Sequence, residues 1–112
     1  MILHLITTLA VAFGTYFADA TLRLDYIFSG NATTQQISFL EAFRSEVWAG
    51  RRSNLGDALL ESNGMVTVQD AATGTVIYKN GFSTLFQEWQ VTEEARKVTK
   101  GFECCLQVPW PK

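Results

Sequence analysis

The stretch that decides the fold is DAATGTVIYKNGFSTLFQEWQVTEEA, at residues 70–95. It follows Met65–Gln69, a run in which alternate positions are valine, as in a strand with one buried face. Residues 76–78 are again β-branched or aromatic, which favours a second strand. Between the two, Asp70 can bond the backbone two residues on, and Gly74 can take a positive φ without a Cβ clash. The segment therefore predicts a β-hairpin with a loop of a few residues.

The second half of the same stretch predicts a short helix. Asn80-Gly81 is a turn, and Ser83 can cap a helix over residues 84–89. Further along, Thr92 can cap a second helical turn, which Gly101 would end. The apolar side chains of the first helix would share one face and close one end of the core; they are Phe82, Leu85, Phe86 and Trp89.

Strand patterns also lie near both ends of the chain. Residues 22–28 (LRLDYIF) open with the apolar/polar alternation of a half-buried strand, and Ser29-Gly30-Asn31 supplies turn residues after it. Phe102–Val108 predicts another strand. Pro109 and Pro111 would then end regular structure.

The segment Gln35–Val47 is ambiguous. Ile37, Leu40, Phe43 and Val47 recur at three- and four-residue steps, which favours a helix slightly. The run Ile-Ser-Phe at residues 37–39 also alternates as a strand would. We therefore expect a helix here, with a strand as the alternative.

Length and charge bound the class of protein. The chain has 112 residues, enough for one domain, and a formal net charge of −2. It has no long basic run, so nothing indicates binding to nucleic acid or to an anionic membrane.

The first twenty residues resemble an export signal. Residues 1–17 are almost continuously apolar, and Ala18-Asp19-Ala20 has the small-x-small form of a signal-peptidase site. We therefore predict a signal peptide at residues 1–20, a domain at residues 21–112, and a periplasmic, cell-surface or secreted location. The alternative, a short membrane anchor, would be a stretch shorter than most spanning helices.

Catalytic chemistry is absent from this sequence. The only histidine is His4, inside the predicted signal, whereas a zinc peptidase needs two histidines on one helix turn and a third ligand. A Ser/His/Asp or Cys/His catalytic system is excluded because it too needs a histidine outside the predicted signal. No phosphate-binding loop occurs. We predict no catalytic residue and no metal ligand, and thus a chain that is not itself an enzyme.

Two adjacent cysteines, Cys104 and Cys105, fall in the last predicted strand. Neighbouring strand residues point to opposite faces, so we expect one buried thiol and one partly exposed thiol. A disulfide between neighbours would be strained. The domain must then be stabilised by its apolar core.

The order and spacing of several short motifs resemble the N-terminal domain of the IgA-peptidase family of bacterial zinc metallopeptidases. The resemblance spans nearly all of residues 21–112. The positions that carry it, expected to hold the fold or an interdomain contact, are Asp25, Tyr26, Gly30, Asn31, Trp48, Asp70, Gly74, Tyr78, Gly81, Phe82, Phe86, Glu88, Trp89, Thr92 and Glu94.

The resemblance implies a mainly β, sandwich-like single domain with one or two short helices. It also implies a non-catalytic accessory role beside a catalytic domain of the same parent chain. In that family the catalytic domain carries a His-Glu-x-x-His zinc motif, so zinc is expected only there and no cofactor in this chain. We accordingly expect the present chain to be the leading part of a longer enzyme, cut short at its C-terminal end.

Aromatic side chains suggest two kinds of surface. Phe86, Trp89 and Trp110 are candidates for a contact with the next domain, since aromatic anchors often mark interfaces. The alternative function is a stand-alone exported module that binds glycan or protein, with Trp48 or Trp110 stacking on sugar rings.

Overall fold

The computed structural model describes residues 12–57 and 62–112, so the larger part of the predicted signal lies outside the described residues. The prediction of a mainly β single domain is confirmed. The elements are α1 Phe13–Tyr16, β1 Phe17–Gly30, β2 Gln35–Glu46, β3 Gly64–Gln69, β4 Val76–Phe82, α2 Leu85–Gln90, a 3₁₀ turn Glu94–Arg96 and β5 Lys100–Pro111.

Three long strands form an antiparallel sheet in the order β2-β1-β5. The apolar residues of β1 alternate, and each faces an apolar partner on β5: Leu22 with Val108, Leu24 with Leu106, Tyr26 with Cys104 and Phe28 with Phe102. Because paired residues point to the same side, these rows make one apolar face. We call it the inner face.

The hairpin predicted from residues 65–78 is present and forms a second, two-stranded sheet, β3-β4. Its loop closes through Asp70, whose carboxylate accepts a hydrogen bond from the Thr73 amide at 3.2 Å. The Asp70 amide donates to the Thr75 carbonyl at 2.8 Å, and Gly74 has a φ of 72°. Gly74 therefore acts as the sequence predicts, whereas Asp70 accepts from the backbone amide three residues on and not two.

The hairpin packs on one end of the inner face and forms the main core there. Phe17, Trp48, Leu55, Ile77, Tyr78 and Val108 are its buried members. Trp48 meets Tyr78 edge to face, with ring centroids 5.8 Å apart, and Phe17 meets Tyr78 at 6.5 Å. Edge-to-face aromatic pairs of this kind add about 0.5–1.5 kcal/mol beyond area burial.

At the other end of the inner face, Phe86 and Trp89 of α2 form an aromatic cluster with Phe102 of β5. Their ring centroids lie 5.5–6.2 Å apart. Phe28 and Phe82 extend the packing, at 6.2 Å. The predicted apolar plug is thus confirmed, except that Leu85 points to solvent.

The preference for a helix over residues 35–47 is wrong. Gln35–Glu46 is a strand, and every one of its side chains is exposed. A short loop after Gly30 brings it against β1, and Asn31 fixes that loop by accepting from the Thr33 and Thr34 amides. The ladder with β1 satisfies the backbone hydrogen bonds of this segment. Pairing with a distant strand therefore overrides an apolar spacing that fits a helix as well as a strand.

Three smaller boundary predictions also need correction. Thr84, not Ser83, caps α2, since its hydroxyl accepts from the Gln87 amide at 3.2 Å. Gly101 does not end a helix but belongs to β5. Pro109 and Pro111 lie inside β5 as well, which an edge strand tolerates because a missing N–H on its outer side breaks no ladder.

The predicted cleavage point falls inside the central strand. Phe17 and Ala20 are buried, and the Asp19 carboxylate accepts from the Trp48 amide at 2.9 Å and pairs with Arg52. These contacts hold the pKa of Asp19 below its usual range. Removal of residues up to Ala20 would take away the start of β1, from Phe17 onward. The part of the chain that the structure describes contains no helix long and apolar enough to span a membrane.

We predict that a chain starting at Thr21 is much less stable than one starting at Ala12. The loss of Phe17 alone should lower the free energy of unfolding by about 3–5 kcal/mol. Thermal and urea unfolding of both chains, with Phe17→Ala in the full chain as the matched substitution, measure this. Equal stability of the two truncated chains would show that residues 12–20 lie outside the core.

Candidate functional site

The residues that carry the family resemblance do not converge on one site. Gly30, Asn31, Asp70 and Gly74 shape the two loops described above, where Gly30 has a φ of 146° and a Cβ there would lie 2.1 Å from the Thr34 carbonyl oxygen. The others are dispersed through the core, β4, α2 and the turn that follows α2, apart from Asp25 and Tyr26 on β1. Their distribution is that of structural positions.

Four of the motif residues are aromatic side chains that pack in or beside the core: Trp48, Tyr78, Phe82 and Phe86. Trp48 is only 6% exposed, and its indole N–H donates to the Arg51 carbonyl at 2.9 Å. Gly81 lies opposite Met65 in the hairpin. Because Trp48, Tyr78 and Phe86 are buried, their rings offer no platform on which a sugar could stack.

Glu88 is exposed on α2, and a polar network lies beside the aromatic cluster. The Trp89 indole N–H donates to the Glu94 carboxylate at 2.8 Å, and Lys100 bonds the same oxygen. The Lys100 hydrogen bond is the main cause of the lowered pKa of Glu94. The Thr92 hydroxyl accepts from the Ala95 amide at 3.4 Å, as a capping residue would. This network connects α2 to the start of β5.

A cleft of about 970 Å³ separates the three-stranded sheet from the hairpin. Arg51 lies across it, with its guanidinium 5.3 Å from the centre of the Tyr78 ring and Nη2 donating to the Leu55 and Lys79 carbonyls. Nε and Nη1 of Arg51 have no partner among the residues of ranges 12–57 and 62–112. Burial raises the pKa of Tyr78 despite the nearby Arg51. Arg51 thus joins the loop after β2 to the hairpin.

The cysteines occupy opposite faces, as predicted. Each is more exposed than expected: Cys104 is half-buried on the inner face and Cys105 is exposed, beside Asp25 and Arg23. Burial raises the pKa of both thiols. A raised pKa disfavours the thiolate, which is the reactive form of cysteine. Within the described ranges no group of three or more His, Cys, Asp or Glu side chains could hold a metal ion.

The sequence matches the family described as Peptidase M64 N-terminus over residues 12–112. The chain belongs to this family. No curated protein matches the sequence.

Membership of the Peptidase M64 N-terminus family agrees with the resemblance inferred from the motif residues. The match begins at residue 12, which is the first residue that the structure describes. It thus includes α1 and the start of β1, ahead of the predicted cleavage point. The family that matches is described as the N-terminal part of these peptidases.

The surface that stands out in this family member is the outer edge of β2. Ile37 and Phe39 are 52% and 57% exposed, and Leu40 and Phe43 are also exposed. Phe39 packs edge to face on Tyr26, with centroids 5.5 Å apart, and Arg23 covers the Phe43 ring at 5.2 Å. We call residues 35–46 the open edge.

The sequence did not single out the open edge as a site. The alternation at residues 37–39 was the signal that could have found it, but it competed with a helical spacing. Of the aromatic surface candidates, Phe86 is 0% exposed and Trp89 packs against it. Trp110 is half-buried, and Arg44 lies over its ring at 4.7 Å.

Replacing Phe86 by alanine should unfold the domain and not merely weaken a surface. We expect a loss of about 3–5 kcal/mol, since a fully buried ring leaves a cavity. Leu85→Ala is the matched control: its side chain is next in sequence, 67% exposed, and should change stability by less than about 0.5 kcal/mol. Denaturant titration of both variants measures this. Similar melting of the two would contradict the assignment of Phe86 to the core.

Proposed function

We propose that this chain is a non-catalytic N-terminal accessory domain of a secreted bacterial zinc metallopeptidase, and that it supports or positions a catalytic domain of the same parent chain. The observation that carries the proposal is the family match over residues 12–112. On this account zinc belongs to the catalytic domain alone.

The geometry supports a structural role for the residues that carry the resemblance. Trp48, Tyr78 and Phe86 are buried in the core. Asp70 and Asn31 use their side chains to close loops. Residues in these roles keep the domain rigid. A domain must be rigid if it is to hold a neighbouring domain in place.

Export is part of the proposal, and its support is the apolar run at residues 1–17. Phe17 and Ala20 are buried in β1, so a cleavage that leaves this fold intact must lie before Phe17. The amino-terminal residue of the exported protein, read by mass spectrometry, locates the processing site.

A protein-binding role has one observation in its favour, which is the exposed apolar side chains of the open edge. A glycan-binding role loses its main support, since Trp48 is buried and Arg44 covers Trp110.

The test of the accessory role starts with the coding sequence beyond Lys112. We expect the frame to continue into a His-Glu-x-x-His segment. The complete enzyme is then compared with a form lacking residues 12–112 and with Phe86→Ala and Leu85→Ala forms. Deletion and Phe86→Ala should lower peptidase activity or the melting temperature of the catalytic domain, whereas Leu85→Ala should not.

Two results would contradict the proposal. One is a stop codon directly after Lys112. The other is an enzyme whose catalytic domain has the same activity, zinc content and melting temperature with and without residues 12–112.

A further inference from the structure

The start of β1 and the end of β5 lie side by side, and their contact continues beyond both strands. Phe17 pairs with Pro111 in the ladder. One residue further out, the Lys112 amide donates to the Tyr16 carbonyl at 2.8 Å. The Lys112 ammonium donates to the Gly14 carbonyl at 2.7 Å. Carbonyl groups of α1 therefore hold the residue that follows β5.

Few other backbone donors are present at this end of β5. Residues 109–112 read Pro-Trp-Pro-Lys, and proline has no N–H. Trp110 and Lys112 therefore carry the amide donors of this stretch. The ladder is also irregular here, since Asp19 and Ala20 of β1 have no partners on β5. The hydrogen bond from the Lys112 amide is thus a large share of what holds the end of β5.

α1 is itself held in place by contacts with the core. The centroids of the Phe13 and Phe17 rings lie 5.6 Å apart. The Arg52 guanidinium lies 4.8 Å from the centre of the Phe13 ring. Arg52 also donates to the Trp48 carbonyl at 2.7 Å and pairs with Asp19. Because Phe17 and Trp48 are buried core residues, these contacts fix α1 to the core.

We propose that Phe13–Tyr16 is a latch that fixes the end of β5, and with it the direction of the chain at Lys112. The Phe13 ring places α1 on the core, and α1 in turn presents its carbonyl groups to Lys112. The family match begins at residue 12 and thus includes the latch. Under the accessory role proposed above, on which this consequence alone rests, the latch sets the direction in which β5 leads toward the catalytic domain.

N-terminal processing can remove the latch without removing the core. A cut directly after Tyr16 takes away both carbonyl groups that bond Lys112, but it leaves Phe17 in β1. A cut before Phe13 leaves the latch intact. The position of the cut therefore decides whether the end of β5 is fixed or free.

The first test follows amide hydrogen exchange by NMR in the full chain and in two variants. Lys112→Pro removes the amide donor and the ammonium, whereas the matched control, Lys112→Met, removes the ammonium alone. Lys112→Pro should speed exchange of the Trp110 amide about fivefold or more, since one hydrogen bond contributes about that factor to an opening equilibrium. Lys112→Met should change it by less than about twofold. The Leu106 amide, farther from the end of β5, should change less than that of Trp110 in both variants.

The second test asks whether Phe13 anchors the latch, and it measures the ¹⁵N order parameter of the Lys112 amide. We expect a value above about 0.6 in the original chain and below about 0.6 in Phe13→Ala, the range of flexible backbone. Thr15→Ala is the matched control, because Thr15 lies in the same helical turn and is exposed. It should leave the order parameter of Lys112 as in the original chain.

Three results would overturn the proposal. They are a flexible Lys112 amide in the original chain, a Trp110 exchange rate that Lys112→Pro leaves unchanged, and an order parameter of Lys112 that is the same in Phe13→Ala and Thr15→Ala. Lys112 is exposed, so its variants decide the matter even where Phe13→Ala does not fold. Both tests use this chain by itself, so their outcome is independent of the accessory role.

Discussion

The structure depends on the pairing of β1 with strands on both sides. β1 supplies the apolar row Leu22, Leu24, Tyr26 and Phe28, and β5 doubles that row with its own apolar residues. One face of the sheet must therefore be covered. The hairpin and α2 cover it from opposite ends, through Tyr78 and Phe86. β2 lies outside the cover, which explains why its backbone can be paired with β1 while all its side chains stay exposed.

Local sequence signals predicted the elements whose formation needs no distant partner. The hairpin follows from Asp70 and Gly74, and the short helix from its apolar face. The signals failed where distant pairing decides. Gln35–Glu46 is a strand because β1 is beside it, and Pro109 is in a strand because β5 is an edge. Neither fact can be read from nearby residues.

The boundary of the folded domain shows the same limitation. An apolar run that ends in Ala-Asp-Ala has the composition of an export signal, yet Phe17 and Ala20 also satisfy the needs of a central strand. Composition cannot separate the two, because both require apolar residues. The contacts of Asp19 with Trp48 and Arg52 are long-range and appear only in the fold. The open edge was missed for a related reason, because the exposure of Phe39 depends on where the hairpin and α2 stop covering the sheet.

Amide hydrogen exchange, followed residue by residue at a concentration where the chain is monomeric, tests this account most directly. It predicts the slowest exchange in residues 21–28 of β1, which are paired on both sides, and alternating fast exchange along residues 35–46, whose outward amides face solvent. Uniform protection of residues 35–46, or faster exchange in β1 than in β2, would contradict the central position of β1 and the open edge.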